Sequence, residues 1–230
     1  MLIFNDFNVL NQRTPYTPHI PFKLASDILD IDIEKLSQTC LDKENEIMKF
    51  SACLSYDGQH VLDGGTGLGN ESTTSRYSKY NVFDWDTVET NQLKEYVREN
   101  IKIYNFLSGH ETPEKLWIRC WVNIMRKGQS IKKHVHDIGE TCYLSCHFTV
   151  QCDETSTVYV NPLTYYPDPD LINEKNIPRT LTIFPSFIPH YTTIHRSEKE
   201  RITIAMDIKT QDLNIGNNKE DQNWIPIDNC

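Results

Sequence analysis

Between Leu116 and Met125 the chain alternates residue by residue, and this alternation restricts its fold more than any other feature. One face carries Leu116, Ile118, Cys120, Val122 and Ile124; the other carries Trp117, Arg119, Trp121, Asn123 and Met125. A period of two is that of a strand, whose successive side chains point to opposite faces of a sheet. Further runs rich in β-branched and aromatic residues follow at Leu144–Val150, Ser156–Asn161, Arg179–Pro185 and Arg201–Ile208. Turn-rich connections separate them. A run of strands after a helical half predicts an antiparallel sandwich or barrel with helices packed outside, a mostly β chain with flanking α-helices.

The helical half comes first. Asp30 and Asp32 are cap candidates, and Ile33, Leu36, Cys40 and Leu41 recur at helical spacing. This predicts an amphipathic helix of about four turns. A second helix opens near the Asp and Thr residues at 84–87, shows one apolar face (Leu93, Tyr96, Val97, Ile101, Tyr104, Leu107) and stops at Gly109. Residues 1–25 carry Pro15, Pro18 and Pro21 and read as an extended arm with one edge strand at 7–11. The glycines at 64, 65, 67 and 69 do not form a phosphate loop, because no strand-to-helix transition frames them and no Gly-Lys-Ser/Thr follows. They read as a loop over the mouth of a site. The polar tail from Lys209 reads as a loop or a loosely docked extension. The expected organisation is one domain, 1–230: an N-terminal arm, helices and glycine-rich loop over 1–115, a β core with the site over 116–208, and a tail over 209–230.

Charge and cysteine usage narrow the partners. A formal net charge of −9 with a pI near 5.3 argues against general nucleic-acid binding, which needs a cationic footprint. Arg126, Lys127, Lys132 and Lys133 read as a solvated rim. The first residues hold no apolar run long enough for a signal peptide or membrane span. Seven cysteines without a CxxC pair read as free thiols in a reducing, cytoplasmic setting. The spacing of Cys142, Cys146 and Cys152 does not match a zinc knuckle.

The chemistry-bearing residues lie within the strand-rich half. His134 and His136 are two apart, so on an extended segment they share a face, and His190 arrives much later at a strand end. Imidazole is the commonest ligand of first-row metals, so three histidines arranged in this way suggest a mononuclear metal site. Along Arg201–Ile208 the isoleucines and Met206 share the face that helices cover, while Arg201, Thr203, Ala205 and Asp207 share the other. Arg201 is then a charge in a cavity. A buried guanidinium needs an anion, and Asp207 is the one acid nearby. A carboxylate ligand, assisted by the Thr203 hydroxyl, would satisfy it bidentately.

Taken in order, these residues resemble the iron(II)- and 2-oxoglutarate-dependent oxygenases, most closely a small subgroup marked by Trp-x-Asn, His-x-His, a Ser-Gly-containing strand, Phe-Pro-Ser-x-x-x-His and Arg-x-Ser. Here the motifs stand as Trp121-Val122-Asn123, His134-Val135-His136, Ser145-Cys146, Phe184-Pro185-Ser186 leading to His190, and Arg201-Ile202-Thr203. The resemblance covers about Trp117–Ile208. It implies a double-stranded β-helix (jelly roll, cupin-like) with Fe(II) at its mouth, 2-oxoglutarate as cosubstrate and O2 as oxidant. It also implies hydroxylation of a small molecule or protein side chain with release of succinate and CO2. The metal ligands implied are His134, His136 and His190; the cosubstrate contacts are Arg201 and Thr203, with Asn123 and Ser145 as further hydrogen-bonding candidates.

This chain departs from the wider superfamily in three places. Most members complete the iron triad with a carboxylate in His-x-Asp, where this chain has His136. Asp137 is one residue further on and is expected to point away. Cys146 stands where the subgroup has glycine, and the connection from His136 to Ser145 is long. Two other readings stay open: a three-histidine cupin-type dioxygenase that needs no 2-oxoglutarate, and a non-catalytic cupin-like binding protein.

Overall fold

The alternating segment is a strand, β3 (Lys115–Met125), and its two faces point as the sequence predicts. The computed structural model describes residues 1–7, 23–55, 57–136, 142–163, 170–210 and 223–228. Asp137 and most of the edge strand expected at 7–11 lie outside the described residues. In chain order the remaining strands are β1 (Ile3–Asp6), β2 (Lys23–Ile28), β4 (Cys142–Gln151), β5 (Ser156–Val160), β6 (Leu171–Lys175), β7 (Thr180–Pro185), β8 (His190–Thr192), β9 (Arg201–Lys209) and β10 (Ile225–Asp228). They form two sheets. The larger has the order β1-β2-β7-β4-β9-β3-β10, and the smaller has the order β6-β5-β8.

Strand β9 lies between β3 and β4 in the larger sheet. It pairs antiparallel with β3 from Trp117↔Lys209 to Met125↔Arg201, and with β4 on its other side. The outward row of β9 (Ile202, Ile204, Met206, Ile208) joins the outward rows of β3 and β4 in one apolar core. Two helices cover that core, α1 (Ile33–Ile47) and α2 (Val88–Leu107), through Leu36, Cys40, Leu93, Val97 and Ile101. The local chemistry sets their ends. Asp32 caps α1 by accepting from the Lys35 backbone N–H at 3.2 Å. Thr87 and Thr90 form a reciprocal capping box at the start of α2, and Gly109 takes φ +75° just past its end. No described helix is long and apolar enough to cross a membrane.

Three segments differ from the sequence expectation. The arm contains a strand, β2, that adds to β7, with β1 paired outside it. Part of the polar tail returns as β10 on the free edge of β3, where Ile227 is buried. Both strands are short, and their ladder partners are distant in sequence, so no local periodicity marks them. Between the glycine-rich loop and α2 lie two short 3₁₀ turns, Thr73–Arg76 and Val82–Trp85. The first docks on β3, where Thr73 Oγ1 donates to the Val122 carbonyl at 2.7 Å.

Ile204 is fully buried at the centre of β9, opposite Val122 and Phe148. Ile204→Ala should lower the unfolding free energy by about 2–5 kcal/mol and Ile204→Val by about 0.5–1.5 kcal/mol. Equilibrium urea denaturation measures both.

Candidate metal centre and anion pocket

The inward rows of the larger sheet line up because the β3–β9–β4 ladder is in register. Arg119, Asp207 and Ser145 stand abreast, then Trp121, Ala205 and His147, then Asn123, Thr203 and Thr149, and Arg201 faces Met125 across the β3–β9 pair. The smaller sheet closes over these rows. Between them is a cavity of about 380 Å³ lined by His134, His136, His190, Arg201, Thr203 and Asp207, among others. Its volume lies in the range of small-molecule sites.

Backbone pairing brings the three histidines together. His134 and His190 exchange both backbone hydrogen bonds, at 3.0 and 2.9 Å, and the His136 N–H donates to the Ser186 carbonyl at 3.1 Å. The His-x-His segment is thereby bridged to β8 at His134 and held at His136 by Ser186, and its extended backbone brings both rings to His190. One ligating atom from each of the three rings lies within 4.8 Å of the others. The Nδ1 atoms are all engaged: His134 with the Lys132 carbonyl at 2.8 Å, His190 with the Ile188 carbonyl at 3.0 Å, and His136 with Asp207 Oδ1 at 2.5 Å. A carbonyl or carboxylate oxygen only accepts, so each Nδ1 carries a proton; His134 and His190, which burial keeps neutral, then present Nε2 lone pairs.

Burial, reinforced by the neighbouring His136, pushes the pKa of His134 down to about 4. Burial and the two neighbouring rings push that of His190 well below the usual value. The Nε2 atoms of His136 and His190 face each other at 3.3 Å. At that distance the two nitrogens can share either a proton or a metal cation. The spacing is that of two nitrogens each ~2.0–2.1 Å from a shared ion. The donor set therefore fits a divalent first-row metal. Among the described residues the cluster contains no carboxylate.

A different kind of group waits at the Arg201 end of the cavity. Arg201 is 2% exposed, and its hydrogen bonds run to neutral atoms: Thr155 Oγ1 at 3.1 Å, Thr203 Oγ1 at 3.3 Å and Met125 Sδ at 3.5 Å. No described carboxylate pairs with it, and burial lowers its pKa. Asp207, the acid expected near it, turns the other way. Its Oδ2 accepts from Arg119 Nη2 at 3.1 Å, and its Oδ1 accepts from His136 and from Ser145 Oγ at 3.0 Å. Burial works to raise the Asp207 pKa, yet His136 and Arg119 hold the carboxyl below the usual range.

Ser145 thus has Asp207 as its partner, with no place in the cavity wall. Asn123 lines the wall, and its Oδ1 accepts from Thr74 Oγ1 at 2.6 Å. Cys146 is fully buried with Leu144 and Phe148 in the core beneath the helices and also borders the cavity. The glycine-rich loop contributes Gly64 and Thr66 to the wall. At Gly65, φ +75°, an added Cβ would lie 3.3 Å from the Cβ of His134, so the loop packs closely on the histidine segment.

Two groups were not picked out from the sequence. Arg119 sits in the inward row of β3 with its guanidinium 4.7 Å from the ring centres of both Tyr77 and Trp224. His147 sits in the inward row of β4, with Nε2 2.6 Å from the Tyr159 hydroxyl and no partner for Nδ1. Period two along each strand was the available signal for both, but their partners come from distant segments.

Residues 119–207 match the family model described as putative 2OG-Fe(II) oxygenase. No curated protein matches the sequence. Among solved structures, the non-heme alpha ketoglutarate dependent epimerase SnoN from nogalamycin biosynthesis is similar at 9% identity, covering 81% of this chain and 76% of its own, with a TM-score of 0.51. The carbocyclase SnoK of the same biosynthesis is similar at 8% identity, over 81% of this chain and 79% of its own, with a TM-score of 0.51. A Pseudomonas putida prolyl-4-hydroxylase is similar at 13% identity, over 81% and 92%, with a TM-score of 0.48. At these identities SnoN and SnoK establish the fold, a double-stranded β-helix of the jelly-roll type.

The same burial predicts a pH dependence of stability. His147 is pushed down to about 3, first by burial and then by Arg201. Unfolded, it titrates near ~6.5. Below that pH the unfolded chain holds a proton that the native ring refuses, so His147 makes stability fall as pH drops. Its share of the slope reaches at most about 1.4 kcal/mol per pH unit. Urea denaturation of metal-free wild type and His147→Gln between about pH 7 and pH 5 should show a shallower decline in the variant.

Proposed function

We propose that this chain is an iron(II)- and 2-oxoglutarate-dependent oxygenase that holds iron on His134, His136 and His190 and anchors the far carboxylate of 2-oxoglutarate on Arg201 and Thr203; the family match over residues 119–207 and the fold support this reading. One observation carries this division of roles. The ligating atoms of three imidazoles converge at one end of a cavity, and a buried guanidinium without a described carboxylate partner stands in the same cavity. The first end suits a cation and the second an anion, and a 2-oxo diacid satisfies both at once.

Iron and 2-oxoglutarate together supply activation of O2 coupled to oxidative decarboxylation of the cosubstrate to succinate and CO2. The remaining work belongs to the chain. His134 and His190, held neutral by burial, present ligand atoms without first losing a proton. Arg201 offers a forked donor to a carboxylate, and Thr203 a hydroxyl beside it. Asn123, whose oxygen is already engaged by Thr74, has its amide N–H groups left to donate to the cosubstrate. Ser145 acts through Asp207. Trp121, Phe184 and Ile131 line the cavity with apolar surface that excludes water and strengthens the charge pairing inside.

The reaction class is hydroxylation of a small molecule or a protein side chain. The net charge of −9 weighs against nucleic acid as the substrate. We place the enzyme in the cytoplasm as one domain, on the unpaired, buried cysteines among the described residues and on the sheet that joins β1 and β2 with β10.

The test is anaerobic titration of iron(II)-loaded protein with 2-oxoglutarate, following the visible metal-to-ligand charge-transfer band. Wild type should develop the band. Arg201→Ala should need at least ~30-fold more cosubstrate, since losing one partner of a buried charge pair costs about 2–5 kcal/mol. His190→Ala should show no band at any concentration. An iron-replete wild type without a band would overturn the reading in favour of a three-histidine dioxygenase that needs no cosubstrate.

A further inference from the structure

The cluster of three histidines brings no negative charge to the metal, yet a buried carboxylate stands directly behind one of them. Asp207 Oδ1 accepts from His136 Nδ1 at 2.5 Å, and its other oxygen accepts from Arg119 at 3.1 Å. Strand register sets this arrangement: Arg119 on β3 and Ser145 on β4 are the direct cross-strand neighbours of Asp207. With Ser145 Oγ also donating to Oδ1 at 3.0 Å, donors on three sides hold the carboxylate. It sits one imidazole away from the point where the Nε2 atoms meet. Arg119 is fixed in turn between the rings of Tyr77 and Trp224.

We infer that Asp207 is a positioning residue that lends its charge to the metal through His136, and that Arg119 limits how much of that charge is lent. A carboxylate accepting the Nδ1 proton fixes the ring's tautomer and orientation and makes the opposite nitrogen a more basic ligand. His136 therefore occupies the place of the carboxylate in the commoner two-histidine, one-carboxylate triad and recovers part of its anionic character from behind. The arginine draws the same carboxylate the other way. The pair acts as a graded control: removing the acid makes the metal site more electropositive, and removing the arginine makes it less so. This inference rests on the reading of the three histidines as metal ligands.

The test compares wild type, Asp207→Asn and Arg119→Met, using cobalt(II) affinity from visible absorbance and the iron(III)/iron(II) reduction potential. Circular dichroism and thermal melts of the metal-free proteins serve as folding controls. Asp207→Asn should weaken cobalt binding ~10–100-fold, the usual cost of losing a carboxylate behind a ligating histidine. It should also raise the reduction potential, because iron(III) loses the nearby negative charge. Arg119→Met should move the potential in the opposite direction. A merely structural role would loosen the site in both variants and could not give shifts of opposite sign.

Wild-type affinity and potential in Asp207→Asn would overturn the inference, as would shifts of the same sign in the two variants. If Asp207→Asn does not fold, Arg119→Met decides alone, and a potential that fails to fall overturns it. Failure of wild type to bind cobalt(II) or iron(II) would instead overturn the metal-site reading beneath it.

Discussion

The site depends on the register of β9 between β3 and β4. Nine residues of β9 are paired to β3 without a break, and this pairing sets Arg119 beside Asp207, Asn123 beside Thr203 and Met125 beside Arg201. Side chains alternate with a period of two, so a slip of one residue would turn Arg201 and Asp207 into the helix-covered core and bring Ile202 and Ile204 into the cavity. Burying two charges among the apolar residues of that core costs on the order of several kcal/mol each. The apolar outer row and the functional inner row therefore enforce the same alignment. Folding stability and site geometry depend on one register.

The second organising contact is the pairing of His134 with His190. Their reciprocal backbone hydrogen bonds bridge the His-x-His segment to β8 of the smaller sheet, so ligand placement is set by backbone pairing. The rings are then oriented from behind: carbonyls hold two Nδ1 atoms and a carboxylate the third. Such fixed partners remove the rotational freedom that a metal would otherwise have to freeze.

Much of this was legible along the chain. The alternation in residues 116–125 and 201–208 predicted both strands and which side chains face inward, because a half-covered sheet imposes period two on its sequence. Asp32 and Gly109 marked helix ends through capping chemistry that is local by nature. His134, His136, His190, Arg201 and Thr203 do line one cavity. The segments that were harder to read are those whose partners are remote. Strands β2 and β10 are short additions to edges made elsewhere, and nothing within either segment announces the edge it joins. Asp207 was expected to answer Arg201, since both lie on one face of one strand. The structure gives it to Arg119 and His136, which come from two other segments.

The sequence by itself determined the alternating strands, the amphipathic helices, and the kinds of chemistry available: imidazoles for a metal and a guanidinium for an anion. These follow from side-chain periodicity and functional groups, which are properties of neighbours along the chain. Only the tertiary structure decided how the charges are shared, with Arg201 left facing the cavity and Asp207 drawn behind His136. Hydrogen-bond pairing is settled by distances of about 3 Å between segments far apart in sequence. No local pattern records those distances.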